Sequence, residues 1–114
     1  IFIDSDPRTW NLDLNLLEHV FKEHRPKALI AVDIYGQSCD YDRIIELGDK
    51  YGVKIIEDSA ESLGSKYKGK KCGSFGDIAI LSFNGNKIIT TSGGGMLLSN
   101  LVQNLDCSVD VNLE

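Results

Sequence analysis

The sequence predicts an α/β fold built on a mostly parallel sheet, and three observations support that prediction. Short apolar runs occur at Ile1–Ile3 and Ala28–Val32, and Val53–Ile56 is apolar except for Lys54. The segments between them carry apolar residues at helical spacing. The resulting order of strand, helix, strand, helix, strand is typical of parallel strands joined by right-handed crossovers. Because Ala28–Val32 contains no polar residue, we expect this strand to be buried on both faces.

Two helices are expected between these strands. The first should begin at a cap on Asn11 or Asp13 and stop before Pro26. The second should begin at a cap on Asp40 and end before Gly52. The predicted buried stripes are the apolar residues at helical spacing, namely Leu14, Leu17, Val20 and Phe21, and then Ile44, Ile45 and Leu47.

The second half of the chain is more polar. We expect a loop with a short helical stretch at Ser59–Gly64, a polar segment at Ser65–Gly76, and strands at Ile78–Phe83 and Gly95–Ser99. Residues 101–114 show no clean periodicity and are predicted to be a loosely ordered tail. We therefore predict that residues 1–100 are part of a folded domain.

Composition excludes several classes of function. With 114 residues and a net charge of −5, the chain has the size of one soluble domain and no basic character for nucleic acid. No apolar stretch approaches the ~20 residues of a membrane span. Three cysteines (Cys39, Cys72 and Cys107) and two histidines lack metal-ligand spacing, so no metal site is expected and a reducing cytoplasm fits best. The lysine run at 66–71 reads as a solvated turn, with a phosphate patch as the alternative.

Polar residues follow the predicted strands. Open parallel sheets bind ligands at the carboxyl ends of their strands. The residues expected at that edge are Asp4, Asp6, Asp33, Tyr35, Asp58 and Ser82. Polar loop residues are also normal at this place, so a more specific motif is needed to predict a site.

The stretch from Ser82 to Gly95 has two interpretations. Asn84-Gly85 between β-prone runs predicts a hairpin, with Lys87 as an exposed lysine and the glycines as a second turn. Alternatively, Lys87 and the glycines belong to a ligand site, because glycine lets backbone approach a ligand closely.

Several motifs occur together in one order: Phe2–Asp6 with Asn11-Leu12-Asp13, Tyr35-Gly36-Gln37, Ile56–Gly64, Gly73–Asp77, Ser82-Phe83, and Lys87 with Gly93–Gly95. In this combination the chain resembles the DegT/StrS family of nucleotide-sugar aminotransferases over residues 1 to about 100. The resemblance implies the central part of a fold-type-I large domain, a three-layer α/β sandwich, with pyridoxal phosphate as cofactor.

The resemblance also implies roles for individual residues. Lys87 matches the lysine that forms a Schiff base with the cofactor, and Asp58 matches the carboxylate that pairs with the pyridinium nitrogen. Ser82 matches a hydroxyl that binds the cofactor phosphate. Glu61 stands where many members carry a glutamine that contacts the cofactor ring oxygen, so this contact is the point at which the chain departs from the common pattern.

The implied reaction passes an amino group from glutamate to a keto group of a nucleotide-linked sugar. Within the family, Asn84–Met96 is most similar to members that aminate C4 of UDP-4-keto-6-deoxy sugars. Family members are usually homodimers, and the start at Ile1 suggests a piece of a longer chain. We therefore expect these 114 residues alone to be inactive. The alternatives are a receiver-like phospho-acceptor domain using Asp58, and a catalytically inactive fragment.

Overall fold

The computed structural model describes residues 1–99, so the predictions for Cys107 and for the tail at 101–114 lie outside the described residues. Helices and strands alternate up to β2 in an α/β arrangement, and the strands after it follow one another without a further helix. The elements are α1 (Leu14–His24), β1 (Ala28–Val32), α2 (Tyr41–Tyr51), β2 (Lys54–Asp58), β3 (Lys66–Tyr67), β4 (Lys70–Lys71), β5 (Ile78–Ser82) and β6 (Gly95–Ser99). A single 3-10 turn covers Ile34–Gly36.

The helix boundaries confirm the predicted capping residues. The Asp13 carboxylate accepts hydrogen bonds from the backbone N–H groups of Asn15 and Leu16 at 2.7 and 3.1 Å, which makes it the N-cap of α1. Asp40 caps α2 in the same way. Gly52 ends α2 in the left-handed conformation that glycine adopts without strain.

The main sheet has the order β1-β2-β5-β6, with β1, β2 and β5 parallel and β6 antiparallel to β5. Two sequence predictions are wrong. Ile1–Ile3 forms no strand, because no strand of the described residues lies beside it, and only a single bridge joins Ser5 to Leu12. Ser59–Gly64 forms consecutive turns without a helical stretch.

The helices cover only one face of the sheet. Leu17 and Phe21 of α1 and Ile44 and Leu47 of α2 are fully buried, and they form one core with strand residues Leu29, Ala31 and Ile55. We call this helix-covered side the closed face. It accounts for most of the apolar burial in the described part of the chain.

The opposite side, the open face, carries apolar side chains that the described residues cover only in part. Ile30 is 59% exposed, Val32 41%, Ile80 38% and Leu97 57%. The expectation that β1 is buried on both faces is therefore wrong within residues 1–99. A continuous apolar run predicts burial of both faces but does not show which part of a protein would cover each of them. Neither helix of the described residues has the length and apolar content needed to cross a membrane.

Candidate active site

Lys87 lies in the connection between β5 and β6, at residues 83–94. Its backbone N–H closes a turn onto the carbonyl of Asn84 at 3.0 Å, and the N–H of Thr91 donates to the carbonyl of Phe83 at 3.0 Å. These bonds fold the connection back over the strand ends. The Lys87 side chain is only 17% exposed, and its Nζ lies 3.4 Å from Glu61 Oε1.

Glu61 links this lysine to a second loop. Its other carboxylate oxygen, Oε2, accepts a hydrogen bond from the backbone N–H of Tyr35 at 2.9 Å. That N–H and the Lys87 ammonium together lower the pKa of Glu61 below its ordinary value, so the carboxylate is charged at neutral pH. The loops after β1, β2 and β5 therefore meet at Glu61.

Asp58 and Ser82 end neighbouring strands on the open face. Asp58 is paired with Ile80 in the sheet register, and Ser82 lies two residues further along β5 on the same face. Asp58 Oδ1 accepts from the N–H of Ala60 at 3.1 Å, and no described residue donates to Oδ2. Ser82 Oγ accepts only a long bond of 3.5 Å from the N–H of Asn84. Both side chains thus retain hydrogen-bonding capacity for a ligand, and neither is bonded to Lys87.

The hairpin interpretation of this region is correct only in part. β5 and β6 do pair antiparallel, and Asn84-Gly85 does lie in a turn. However, the residues after the turn are not a strand, and Lys87 is largely buried rather than exposed. The connection is a long loop that holds Lys87 inward.

Asp33, expected at the ligand edge, points into the protein. It is fully buried, and its carboxylate accepts from the N–H of Cys39 at 2.8 Å and from the hydroxyls of Tyr41 and Ser62 at 2.9 and 2.8 Å. Burial and the nearby Asp33 charge raise the pKa of the Tyr41 hydroxyl, which therefore stays a donor. Asp33 joins the start of α2 to the loop after β2 and has no free oxygen for a ligand.

Glu57 is a buried carboxylate that the sequence analysis did not single out. It accepts from the hydroxyl of Ser59 at 3.1 Å and from the backbone N–H groups of Phe75 at 2.8 Å, Gly76 at 3.3 Å and Gly73. These bonds hold the 73–76 segment against the end of β2. A methyl group at Gly76 would lie 2.7 Å from the Ile55 carbonyl oxygen, so the approach requires glycine.

Asp33 and Glu57 also form a cluster with the thiol of Cys72. The nearest ligand-type atoms of the three residues lie within 4.8 Å of one another. Both carboxylates already receive hydrogen bonds from protein donors. The cluster is therefore explained by its role in fixing the surrounding loops.

The remaining predicted edge residues lie in exposed loops. Asp4 accepts from the N–H of Ser5 at 2.8 Å. Asp6 forms an ion pair with Arg8 at 2.9 Å, and hydrogen bonds from Arg8 lower the pKa of Asp6 to about 2. The ring of Tyr35 is 78% exposed. The lysine run forms the small exposed β3–β4 hairpin, in which Lys68 pairs with Asp42.

Comparison with known proteins identifies the family to which this chain is similar. The sequence model of the DegT/DnrJ/EryC1/StrS aminotransferase family matches residues 1–104. One relative is EpsN of Bacillus subtilis, which is named as a pyridoxal phosphate-dependent aminotransferase. It is 59% identical over 88% of this chain and 27% of its own length. The GDP-perosamine synthase of Caulobacter vibrioides is 50% identical, with the same two coverages of 88% and 27%. The chain thus spans about a quarter of the length of these relatives.

Solved structures agree with this result. The aminotransferase from Psychrobacter cryohalolentis superposes with a TM-score of 0.82 and 39% identity, over 88% of this chain and 25% of that one. This match confirms the mixed α/β fold with a mostly parallel sheet that is found in fold-type-I aminotransferases. The family model and the relatives together cover the strand-end residues described above, and they give no support to the receiver-like alternative. The chain belongs to the DegT/DnrJ/EryC1/StrS aminotransferase family.

Proposed function

We propose that the natural protein containing this chain is an aminotransferase that uses pyridoxal phosphate. It moves an amino group from glutamate to a keto group of a nucleotide-linked sugar. The observation that carries the proposal is the placement of Lys87, mostly buried, in the loop after β5 and beside the charged Glu61. A lysine nucleophile has to be positioned and partly desolvated to react, and an ordinary surface lysine is neither.

The residues at the strand ends fit the cofactor. Lys87 would hold it covalently, Asp58 would pair with its ring nitrogen, Ser82 would donate to its phosphate, and Glu61 would lie beside its ring. The Oδ2 of Asp58, which accepts no bond from residues 1–99, and the weakly engaged hydroxyl of Ser82 support this assignment, because both retain hydrogen-bonding capacity for a ligand. When bound, pyridoxal phosphate supplies an aldehyde for the amino group and a ring that stabilises negative charge on the neighbouring carbon.

The protein side chains then have separate tasks. With the cofactor bound, the Asp58 carboxylate would hold a proton on the ring nitrogen, which would strengthen the electron-withdrawing character of the ring. Lys87 Nζ would serve as the general base and acid that moves a proton between carbon atoms of the bound substrate and cofactor. Glu61, tied to Tyr35 and to Lys87, orients the lysine between these steps.

The relatives support a general class of sugar substrate, and one segment of this chain supports a narrower choice within that class. The GDP-perosamine synthase relative carries the name of an enzyme of nucleotide-sugar metabolism, which supports a nucleotide-linked acceptor. On the resemblance of Asn84–Met96, we propose C4 of a UDP-4-keto-6-deoxy sugar as the acceptor carbon. We further propose that the protein is a cytoplasmic homodimer that serves polysaccharide biosynthesis.

The proposal is tested by trapping the cofactor on the natural full-length protein. After incubation with pyridoxal phosphate, borohydride reduction and peptide mapping should place the label on Lys87, and the Lys87→Ala variant should neither label nor transfer amino groups. A label on Lys54 or Lys71 would contradict the assignment. Assays with glutamate and matched UDP- and GDP-linked 4-keto sugars then identify the acceptor, and no transfer to either sugar would overturn the proposed reaction.

A further inference from the structure

Two aromatic side chains stand exposed beside the candidate active site. Among the described residues, Trp10 is 63% exposed and Tyr35 is 78% exposed. Their ring centroids lie 6.2 Å apart, with the ring planes inclined by 59°. We call these two residues the aromatic pair. Large aromatic rings contribute most to stability when they are buried, so a pair that residues 1–99 leave uncovered at a strand-end edge calls for an explanation.

Both residues of the pair have strained backbones. Trp10 has a φ of 64° and Tyr35 a φ of 51°, in the left-handed region that bulky residues rarely adopt. Such strain persists only where surrounding bonds impose it, and it is concentrated at ligand sites. Here the N–H of Trp10 donates to the Asp6 carbonyl at 2.8 Å, and the N–H of Tyr35 donates to Glu61.

A buried asparagine fixes the two loops of the pair against each other. Asn11 follows Trp10 directly and is 6% exposed. Its side-chain amide donates to the Gln37 carbonyl at 2.9 Å, and its side-chain oxygen accepts from the N–H of Ile34 at 3.1 Å. These partners flank Tyr35 in the chain. The spacing between the two exposed rings is thus set by a buried polar group.

The aromatic pair is connected to Lys87 by direct contacts. Glu61 binds the backbone N–H of Tyr35 through one carboxylate oxygen at 2.9 Å and Lys87 Nζ through the other at 3.4 Å. The pair therefore lies on the same edge of the sheet as the candidate nucleophile. A ligand that reacts at Lys87 and extends along this edge would meet Tyr35 and Trp10.

We propose that the aromatic pair is the binding surface for the nucleobase of the nucleotide-linked sugar. This inference rests on the proposed function. A base is flat and stacks on the face of one ring while the edge of the other ring borders it. Stacking of this kind tolerates either a pyrimidine or a purine, because every base has a π-face. The pair thus secures the base and leaves discrimination between bases to other groups.

The test uses the natural full-length protein loaded with pyridoxal phosphate, titrated calorimetrically with UDP, with GDP and with pyrophosphate. Trp10→Leu and Tyr35→Leu should each weaken UDP or GDP binding by about tenfold, in line with typical losses from removing a stacking ring. Pyrophosphate, which has no base, should bind as it does to the wild type. Leucine is chosen because it is not β-branched and meets the same backbone strain as the residues it replaces.

Three control variants sharpen the test. Tyr35→Phe keeps the ring and should keep the affinity, and Trp10→Phe should restore most of the loss seen with leucine. Phe2→Leu removes another exposed aromatic ring, outside the pair, and should change neither nucleotide affinity. Melting temperatures of all variants show whether each one is folded.

Several outcomes would overturn the inference. These are unchanged UDP and GDP affinities in both leucine variants, an equal loss for pyrophosphate, or a large fall in melting temperature with unchanged binding. The last result would mean that another part of the protein covers the pair. Amino transfer by the wild type is assayed separately. Transfer without an effect at the pair therefore overturns only this inference, whereas a lack of transfer overturns the proposed function.

Discussion

Glu57 and Asp58 are consecutive acidic residues of β2, but their side chains lie on opposite faces of the sheet. They therefore differ in burial and in the hydrogen bonds that they accept. Glu57, on the closed face, is fully buried and saturated with backbone and hydroxyl donors. Asp58, on the open face, is half-buried and has an oxygen that no described residue engages. On the closed face the Glu57 carboxylate thus fixes a loop, whereas on the open face the Asp58 carboxylate keeps an oxygen that no described residue binds.

The largest effect is expected at Glu57. Glu57→Ala would leave the partly buried N–H groups of Gly73, Phe75 and Gly76 without their acceptor, so the free energy of unfolding should fall by about 3 kcal/mol. Glu57→Gln keeps one acceptor oxygen and should lose less. Urea unfolding of both variants gives the measurement. Similar stability of the alanine variant and the wild type would show that the 73–76 segment does not depend on this carboxylate.

Asp58→Asn should have the opposite profile. We expect nearly unchanged stability, retained cofactor and a turnover reduced by roughly a hundredfold, because an amide does not hold the ring nitrogen protonated. Absorbance after desalting reports the bound cofactor, and steady-state kinetics of the full-length protein report the turnover. Asp4→Asn, an exposed carboxylate in a nearby loop, serves as the control. Near-normal turnover in Asp58→Asn would assign Asp58 a structural role only.

Leu81 and Ile80 test the same contrast with apolar neighbours of β5. Leu81 on the closed face is 8% exposed and Ile80 on the open face is 38% exposed. Leu81→Ala should cost about 2–3 kcal/mol of unfolding free energy and Ile80→Ala about 1 kcal/mol or less, as measured by denaturant unfolding of this chain. Repeating both measurements in the natural full-length protein sharpens the comparison. A cost at Ile80 that rises to equal that at Leu81 would show that the open face is covered there.

The smallest effect is expected from titration of Glu61. Hydrogen bonds from Tyr35 and Lys87 lower its pKa in the folded protein, so its stabilising contribution is complete above the ordinary glutamate value of 4.5. That contribution disappears as the pH falls through the lowered value. Glu61→Gln should therefore lower the stability slightly near neutrality, where the contribution is complete, and approach the wild type as the pH falls, so that the acid limb of the stability–pH curve is flatter. An unchanged acid limb would show that the Lys87–Glu61 contact adds nothing measurable.

The sequence predicted the parts of the fold that depend on local chemistry. The caps at Asp13 and Asp40 and the end of α2 at Gly52 follow from hydrogen bonds and dihedral preferences within a few residues, and all three predictions are confirmed. The prediction of a strand at Ile1–Ile3 was wrong because a strand needs a partner strand, and the presence of a partner does not depend on local sequence.

The candidate site was less predictable from the residues themselves. Asp33 and Asp58 both follow apolar runs and look equivalent in the sequence, but only the fold decides which carboxylate turns inward. The buried bridging roles of Glu57 and Asn11 were not predicted, because most of their partners are backbone groups far along the chain, which no side-chain pattern reveals. The roles assigned to Lys87, Asp58, Glu61 and Ser82 came from the ordered set of family motifs and remain predictions.

The close approach at Gly76 restricts how this protein can evolve. A single added carbon would fall 2.7 Å from the Ile55 oxygen and 2.8 Å from the Ile78 oxygen, both of them main-chain atoms that cannot swing aside. Any missense mutation at this codon therefore collides with backbone, whatever amino acid it encodes. A lineage can replace this glycine only by changing the path of the 73–76 segment, and this change would also remove its hydrogen bonds to Glu57. Among related sequences, those that keep this local structure should have glycine at this position. A different residue there should mark sequences in which the structure of this segment has changed.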